Sequence, residues 1–333
     1  MRGHAFDSGK GSAELFELSR RAASLLAAVF IMIALLFSTL LPERTVSVYA
    51  ALAGHIALGS ACPSPTPSAD PLLSVRLADV DRDVDRDVFV RLAGILPTPA
   101  PVERTSGPVI LVYHTHDTEA YRESPGEEYE ETGSCRTEDN EYNVYAVGEE
   151  LCRILREEYG IESIHADEKH EKPLITTAYS RSLETARRYL EQYPTLKMFI
   201  DLHRDGVPDT GFEDDFVTVD GKECARMMFV VGTGKSGKSS QTAPDESPDT
   251  QNDMPDFESN YALALDLTEK LLSINGRFMR NIRVKSGKYN QQLSSMSMLV
   301  EIGHNANTLT QAKNSAAYLA RAIAEVCFNK NEQ

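Results

Sequence analysis

Two histidines and a glutamate follow a short apolar run in the stretch VYHTHDTE, where they could bind a metal ion. The run ends at Tyr113, and His114, His116 and Glu119 come soon after it. A second stretch, FIDLHRD, places His203 at the end of another apolar run. Catalytic zinc is held by three side chains of the histidine and carboxylate type, and it keeps one position for water. The pattern therefore predicts a zinc site if the two stretches meet in the fold.

A third stretch, MLVEIGH, supplies a carboxylate that could move protons. Glu301 interrupts the apolar run, and a carboxylate in a buried strand is costly unless it is paired or bound to a metal. Zinc lowers the pKa of a bound water to about 7, and a separate carboxylate can then act as general base. The three stretches together offer enough histidines and carboxylates for three zinc ligands and one acid/base group. The candidates are His114, His116 and Glu119 in the first stretch, Asp201, His203 and Asp205 in the second, and Glu301 and His304 in the third.

The sequence offers two glutamates for the third zinc ligand. Glu119 lies three residues after His116, so one turn can present both side chains to the same ion. Glu141 lies just before the helical stretch NVYAVGEEL, but acidic residues favour helix N-termini without any metal. We choose Glu119 and keep Glu141 as the alternative.

Strand-like and helix-like stretches alternate from about residue 106 onward. The predicted strands are PVILVYH, IESIHAD, KMFIDLH, ARMMFVVGT and MLVEIGH, and amphipathic helical stretches lie between them or after them. This alternation predicts an α/β fold with a mostly parallel twisted sheet and helices on both faces. Parallel strands bring their C-terminal ends to one edge, which would gather the three polar stretches. His165 and His170 flank a loop and are expected to be solvated.

The N-terminal part of the chain predicts a membrane anchor. No residue from Ala22 to Pro42 is charged, and at 1.5 Å per residue this span can cross a ~30 Å hydrocarbon core. Arg20 and Arg21 precede it, which favours a cytoplasmic N-terminus. A cleaved signal peptide is the alternative, although its apolar region is normally shorter. We therefore divide the chain into a cytoplasmic tail (1–21), one transmembrane helix (22–42), an extracytoplasmic stalk (43–105) and a catalytic domain (106–333).

Proline-rich stretches, CPSPTPSADP and LPTPAP, support the stalk because they form extended, semi-rigid spacers. Between them, LADVDRDVDRDVFVRLAGI has apolar residues at every fourth position, which predicts a short amphipathic helix. The formal net charge of the whole chain is −16, and phosphate binding needs a basic surface. We expect no nucleic-acid partner.

The segment from about 107 to 325 resembles the stage II sporulation protein P family of endospore-forming bacteria. The matching stretches include YHTHDTEAY, NVYAVGEEL, SRSLETAR, DLHRD, YNQQLS and LVEIGHNANTLTQA. The resemblance implies an amidase-like fold and a zinc-dependent N-acetylmuramoyl-L-alanine amidase that cleaves peptidoglycan stem peptides, with cleavage of cross-links as a further activity. It also implies a place at the cell membrane during engulfment, with stage II sporulation proteins D and M as partners.

Matched position by position, the resemblance implies that His116, Glu119 and His203 bind the zinc and that Glu301 is the catalytic group. His116 matches the second histidine of HTH, Glu119 the glutamate three residues on, and His203 and Glu301 the later histidine and glutamate. His304 stands where the family often has glycine, and we assign it no role. A substrate-binding or supporting role is expected for His114, Arg204, Asp205 and Asn290.

Two other functions remain open at this point. One is a catalytically inactive wall-binding scaffold, although an inactive relative tends to lose groups such as His116, His203 and Glu301. The other is a zinc carboxypeptidase of the HxxE type, which HDTE from His116 to Glu119 also fits. The released product, an amino acid or a stem peptide, distinguishes the enzymes.

Overall fold

The computed structural model describes residues 78–81, 102, 107–208, 211–212, 215–234, 254 and 256–328. All of them belong to one unit, Pro67–Gln333. The predicted tail and transmembrane helix (1–42) and most of the predicted stalk lie outside the described residues. Within the described ranges, no helix is both long enough and apolar enough to cross a membrane.

The centre of the described part is a seven-stranded sheet, and a separate two-stranded hairpin lies beside it. The strands are β1 (Ala78–Val80), β2 (Ile110–Tyr113), β3 (Ser163–His165), β4 (Met198–Asp205), β5 (Phe216–Val219), β6 (Lys222–Ala225), β7 (Met227–Gly232), β8 (Ile282–Lys285) and β9 (Met296–His304). The order in the sheet is β1-β8-β7-β9-β4-β2-β3, and β5 pairs with β6. Neighbours in the sheet are parallel except β7 and β9, which are antiparallel. The predicted mostly parallel sheet is confirmed.

Four α-helices of the described part cover the sheet: α1 (Val144–Glu157), α2 (Ala178–Gln192), α3 (Phe257–Ile274) and α4 (Leu309–Ile323). Local sequence sets where two of them begin. The Asn143 side chain accepts a hydrogen bond from Tyr145 N at 2.8 Å and caps α1. Thr308 and Gln311 form a capping box at the start of α4. Such caps satisfy backbone N–H groups that have no partner inside the helix.

Helices lie on both faces of the sheet, as expected. Alternate residues of β2 point to opposite faces. Ile110 and Val112 belong to the large core that includes buried residues of α1, α3 and α4. Leu111 and Tyr113 belong to a second cluster with Ala186 of α2. Helix α2 therefore covers the face opposite the other three.

The amphipathic helix predicted in the stalk is wrong for the residues that can be compared. Residues 78–80 form β1, which pairs in parallel with β8, and Ala78 lies opposite Ile282. The four-residue apolar spacing fits a helix, but hydrogen bonding to the open side of β8 outweighs a weak local preference. Residues 82–95 of that stretch lie outside the described residues. The residue pattern also did not predict β8 or the β5–β6 hairpin.

Candidate metal and catalytic site

The sheet topology brings the three polar stretches of the sequence to one edge. Strands β2, β4 and β9 are neighbours and run in parallel. The register of β4 and β9 places His203 directly opposite Glu301. His116 follows β2, and its ring centroid lies 5.4 Å from that of His203. The convergence follows from strand direction, because parallel strands end at the same edge.

Glu119 completes a close group with the two histidines. Its Oε2 lies 3.3 Å from His203 Nδ1 and accepts a hydrogen bond from the backbone N–H of Arg204 at 3.1 Å. Burial raises the pKa of the Glu119 carboxyl, but the hydrogen bond and charge of His203 outweigh it and hold the pKa at about 2. The carboxylate is therefore ionised at neutral pH, which is the form that binds a metal.

The other nitrogen of His203 faces a buried carboxylate. Nε2 lies 2.9 Å from Asp201 Oδ1, an ion-pair distance, although the atom makes no hydrogen bond of good geometry. Asp201 is fully buried and accepts hydrogen bonds from the backbone N–H of Thr115 at 2.8 Å and from its hydroxyl at 2.6 Å. Burial opposes a charge on His203, but the Asp201 carboxylate keeps the pKa of the imidazole well above its usual value.

His116 is oriented by a carboxylate that the sequence analysis did not identify. Its Nδ1 lies 3.0 Å from Glu171 Oε1. Glu171 stands in the charged stretch DEKHEKP, between β3 and α2, where nothing in the residue pattern distinguishes it from a solvated loop residue. Arg136 donates to Glu171 and lies 3.6 Å from Glu119 Oε1, so it links both carboxylates beside His116.

Glu301 has the environment expected of a group that exchanges protons. The residue is partly exposed, but its Oε2 is buried and has no hydrogen-bond partner. Burial raises the pKa of the carboxyl to about 7. A carboxyl with this pKa can accept and release a proton near neutral pH.

The donor set suits zinc, although no ready-made cluster is present. Within the described residues, no three His, Cys, Asp or Glu side chains already have the arrangement of a metal cluster. His116, Glu119 and His203 nevertheless lie together and supply two imidazoles and one carboxylate, a ligand set typical of catalytic zinc. Glu301 Oε2 is a buried polar atom without a hydrogen bond. An ion held by His116, Glu119 and His203 would replace the contact between Glu119 and His203.

Glu141, the alternative ligand, is placed differently from Glu119. Its side chain is exposed. None of the polar contacts found in the described part of the chain joins that side chain to His116 or His203. The geometry therefore favours Glu119, and the identity of the third ligand stays a prediction.

His114 does not face a space that substrate could enter. It is 2% exposed, and its Nδ1 lies 2.8 Å from the carbonyl oxygen of Leu202. Its Nε2 lies 2.8 Å from His165 Nε2. Burial lowers the pKa of His114 to about 4 and that of His165 to about 2, so both rings are neutral. His114 supports the backbone next to His203 rather than a substrate.

The expectation of solvated histidines at 165 and 170 is wrong. His170 is 2% exposed; its Nδ1 lies 2.6 Å from the carbonyl oxygen of His114, and its Nε2 lies 3.0 Å from Thr185 Oγ1. His165 is only partly exposed, and its ring centroid lies 4.1 Å from that of Tyr145. The loop after β3 folds back over the sheet edge, which a local residue pattern does not reveal.

Arg204 is a structural clamp. Its Nε donates to the carbonyl of Ala120 at 2.9 Å, and its Nη2 donates to that of Cys135 at 2.7 Å. The guanidinium thus holds the segment that carries Glu119 against β4. A substrate role does not fit a 7% exposed side chain whose three guanidinium nitrogens each donate to a backbone carbonyl.

Asp205 and Asn290 also hold neighbouring segments. Asp205 Oδ2 accepts a hydrogen bond from Arg280 Nη1 at 2.8 Å. Asn290 donates to Ser182 Oγ at 2.9 Å and to the carbonyl of Tyr179 at 3.1 Å, and so ties its loop to α2. These contacts support a positioning role for both residues.

His304 packs at the end of β9. Its Nε2 lies 3.3 Å from Asp215 Oδ2, and its Nδ1 accepts a hydrogen bond from the N–H of Ala306 at 3.2 Å. Burial lowers the pKa of the imidazole. The extra contact that the sequence left open is therefore with Asp215.

The described residues define a class of protein: an α/β domain with a cluster of two histidines and two glutamates at the ends of parallel strands. Residues 81–324 match the Stage II sporulation protein P (SpoIIP) family, and the chain belongs to this family. The family resemblance seen in the sequence is thereby confirmed.

One curated relative is stage II sporulation protein P of Bacillus subtilis (strain 168). It is 29% identical to this chain over 247 residues, which cover 69% of this chain and 54% of the relative. The chain thus spans about half the length of the curated relative that it matches.

Among solved structures, similar chains include the catalytic domain of CwlV, an N-acetylmuramoyl-L-alanine amidase from Bacillus (Paenibacillus) polymyxa var. colistinus. It is 10% identical with a TM-score of 0.35, covering 66% of this chain and 95% of that chain. The amidase Ami1 from Mycobacterium smegmatis is 14% identical with a TM-score of 0.36, covering 68% of this chain and 99% of that chain.

Proposed function

We propose that this chain is a zinc-dependent peptidoglycan hydrolase of the N-acetylmuramoyl-L-alanine amidase type that acts in sporulation. Membership of the stage II sporulation protein P family supports the process and the substrate class. The observation that carries the chemistry is the position of His203, which lies beside Glu119 and directly opposite Glu301.

In this proposal His116, Glu119 and His203 hold the zinc ion. Zinc polarises a carbonyl and makes a bound water acidic. His203 Nε2 lies 2.9 Å from Asp201 Oδ1 and faces away from Glu119. Nδ1 lies on the side of Glu119 and is therefore the ligand atom in this proposal. Asp201 beside His203 and Glu171 beside His116 orient the two imidazoles before the ion binds. Such preorganisation supports metal affinity.

Glu301 carries the proton between the two halves of the reaction. Its carboxylate takes a proton from the attacking water, whose oxygen forms a bond to the amide carbon. The same proton passes to the leaving nitrogen as the C–N bond breaks, so Glu301 ends in its original ionised form. Burial raises the pKa of this carboxyl above that of an exposed glutamate, which helps it to hold the proton between the two transfers.

The proposal also includes the cellular setting. We propose a single-pass protein at the cell membrane, anchored by residues 22–42, with the catalytic domain outside the cytoplasm. The absence of charge along that span supports the anchor. Stage II sporulation proteins D and M are the proposed partners.

The test is digestion of purified muropeptides by the full-length chain in mild detergent, with products identified by mass. Release of intact stem peptides from muramic acid supports the amidase. Free amino acids would instead indicate the carboxypeptidase, and split cross-links an added endopeptidase activity. If wall is bound but no bond is cleaved when zinc is supplied, the scaffold is the correct function.

A further inference from the structure

Glu171 makes a specific contact with a predicted zinc ligand from a loop far away in sequence. Its Oε1 lies 3.0 Å from Nδ1 of His116, and its side chain is 9% exposed. The Arg136 guanidinium forms an ion pair with the same carboxylate, and an ionised carboxylate can only accept hydrogen bonds. His116 Nδ1 is therefore the donor in this contact.

The position of Glu171 is fixed by a network rather than by one contact. Asp117 Oδ1 accepts hydrogen bonds from the backbone N–H groups of His170 at 2.7 Å and Glu171 at 2.9 Å. The Thr118 hydroxyl and the Arg136 guanidinium both donate to the Glu171 carboxylate. Asp117 and Thr118, which follow His116 in the chain, thus bind the loop that carries Glu171.

We infer that Glu171 is a positioning residue that fixes the ring orientation and tautomer of His116, leaving Nε2 with the lone pair that binds the metal. A neutral imidazole has one N–H and one lone pair, and a carboxylate at Nδ1 decides which nitrogen has which. The inference rests on the zinc site of the proposed function. It adds that the loop between β3 and α2 contributes to metal affinity without a ligand of its own.

A role in folding alone would not require this geometry. An ion pair between Arg136 and Glu171 would already join the two loops. A second ion pair joins the same two loops on their exposed side, where Lys172 Nζ lies 2.7 Å from Glu138 Oε1. The Glu138–Lys172 pair does not reach His116 and provides a matched control.

The test compares Glu171→Ala with Glu138→Ala in the full-length chain. Zinc affinity is measured by competition with a chelator, and the tautomer of His116 by the ¹⁵N shifts of its imidazole in the metal-free protein. We expect Glu171→Ala to weaken zinc binding ~10–100-fold, the usual effect of removing a carboxylate behind a ligating histidine, and to mix the two tautomers. Glu138→Ala should change neither.

The outcomes separate this inference from the proposed function. If the wild-type chain binds no zinc, both are overturned. If the wild type binds zinc and Glu171→Ala binds it as tightly as Glu138→Ala does, only the role of Glu171 is overturned. Should Glu171→Ala fail to fold, Glu171→Gln keeps the shape and an acceptor oxygen but loses the charge. That variant should bind zinc less tightly than wild type, and equal affinity would overturn the inference.

Discussion

His203 on β4 lies directly opposite Glu301 on β9 in the pairing of the two parallel strands. Neighbouring strands lie about 4.8 Å apart, and residues that pair across them project to the same face. The predicted metal ligand and the predicted proton carrier are therefore held side by side by two backbones. Their separation does not depend on a loop conformation.

Glu301→Gln is expected to keep its zinc and to lose ~10²–10⁴-fold in turnover, because the amide preserves the shape but cannot take a proton. Metal analysis and the muropeptide assay on the same sample measure both quantities. Turnover close to that of the wild type would mean that Glu301 is only structural.

Zinc content should separate the two candidate ligands. We expect Glu119→Ala, like His116→Ala and His203→Ala, to lose most of the one zinc per chain that three ligands predict. Glu141→Ala should stay loaded, because its side chain is exposed. Loss of zinc from Glu141→Ala, with Glu119→Ala still loaded, would show that Glu119 is the wrong carboxylate.

The ion pair of Asp205 and Arg280 should tune the acid limb of the pH–activity profile. Burial is the main cause of the raised pKa of Glu301; the charge of Asp205 raises it further, and that of Arg280 lowers it. Activity requires ionised Glu301, so it falls as the pH drops below this pKa. Arg280→Gln should move the acid limb to higher pH and Asp205→Asn to lower pH, by up to about one unit each.

A bound zinc ion would lower the pKa of Glu301 in wild type and variants alike, so the opposite directions of the two shifts are the decisive result. Profiles of kcat/KM from pH 5 to pH 9 provide the measurement. Shifts in the same direction would show that the two charges do not act on Glu301.

The sequence was sufficient to predict the strands and helices that have a regular pattern of apolar residues. Apolar runs and helical spacing located β2, β4, β9 and helices α1 to α4 of the described part, and strand direction then joined His116 to His203. Contacts made across the fold left no such pattern. The four-residue spacing in residues 77–95 concealed β1, because its partner β8 lies far along the chain. The role of Glu171 could not be predicted for the same reason, because only the folded loop brings it to His116.

Acid should destabilise the fold through the buried pair His114 and His165. Burial lowers the pKa of His114 to about 4, whereas an unfolded histidine titrates near 6.5. The unfolded chain thus takes up a proton that the folded chain refuses, and stability is lost as the pH falls from about 6.5 toward 4. Between pH 7 and pH 5 the loss from His114 should be about 2 kcal/mol.

Urea unfolding of the zinc-free protein at several pH values measures this effect. The comparison is with His114→Gln, which has no titrating ring but can still donate to the Leu202 carbonyl. The raised pKa of His203 acts with the opposite sign in both proteins, so the difference between them isolates His114. Equal pH dependence in the two would contradict the prediction.

Gly148 in α1 should not tolerate a methyl group, although alanine is normally the better helix residue by up to about 1 kcal/mol. A Cβ there would lie 2.7 Å from His165 Nε2 and 2.8 Å from His114 Nε2. Overpacking of this kind costs about 1–3 kcal/mol, so we expect Gly148→Ala to be destabilised by about 1–2 kcal/mol. Gly133→Ala is the control for chemical denaturation, because its Cβ would meet nothing closer than 3.7 Å.

Strand β1 also decides where the chain can be shortened. The residue pattern suggested that the catalytic domain starts at residue 106, but a chain cut there would lose β1 and expose the hydrogen-bonding edge of β8. An uncovered edge strand is a template for pairing with another molecule, so we expect such a fragment to aggregate. The pairing also joins residues about 200 positions apart, Ala78 and Ile282. Contacts between such distant residues cost more loop-closure entropy to form and slow folding in general. Until the pairing forms, the newly made protein is exposed to the same hazard.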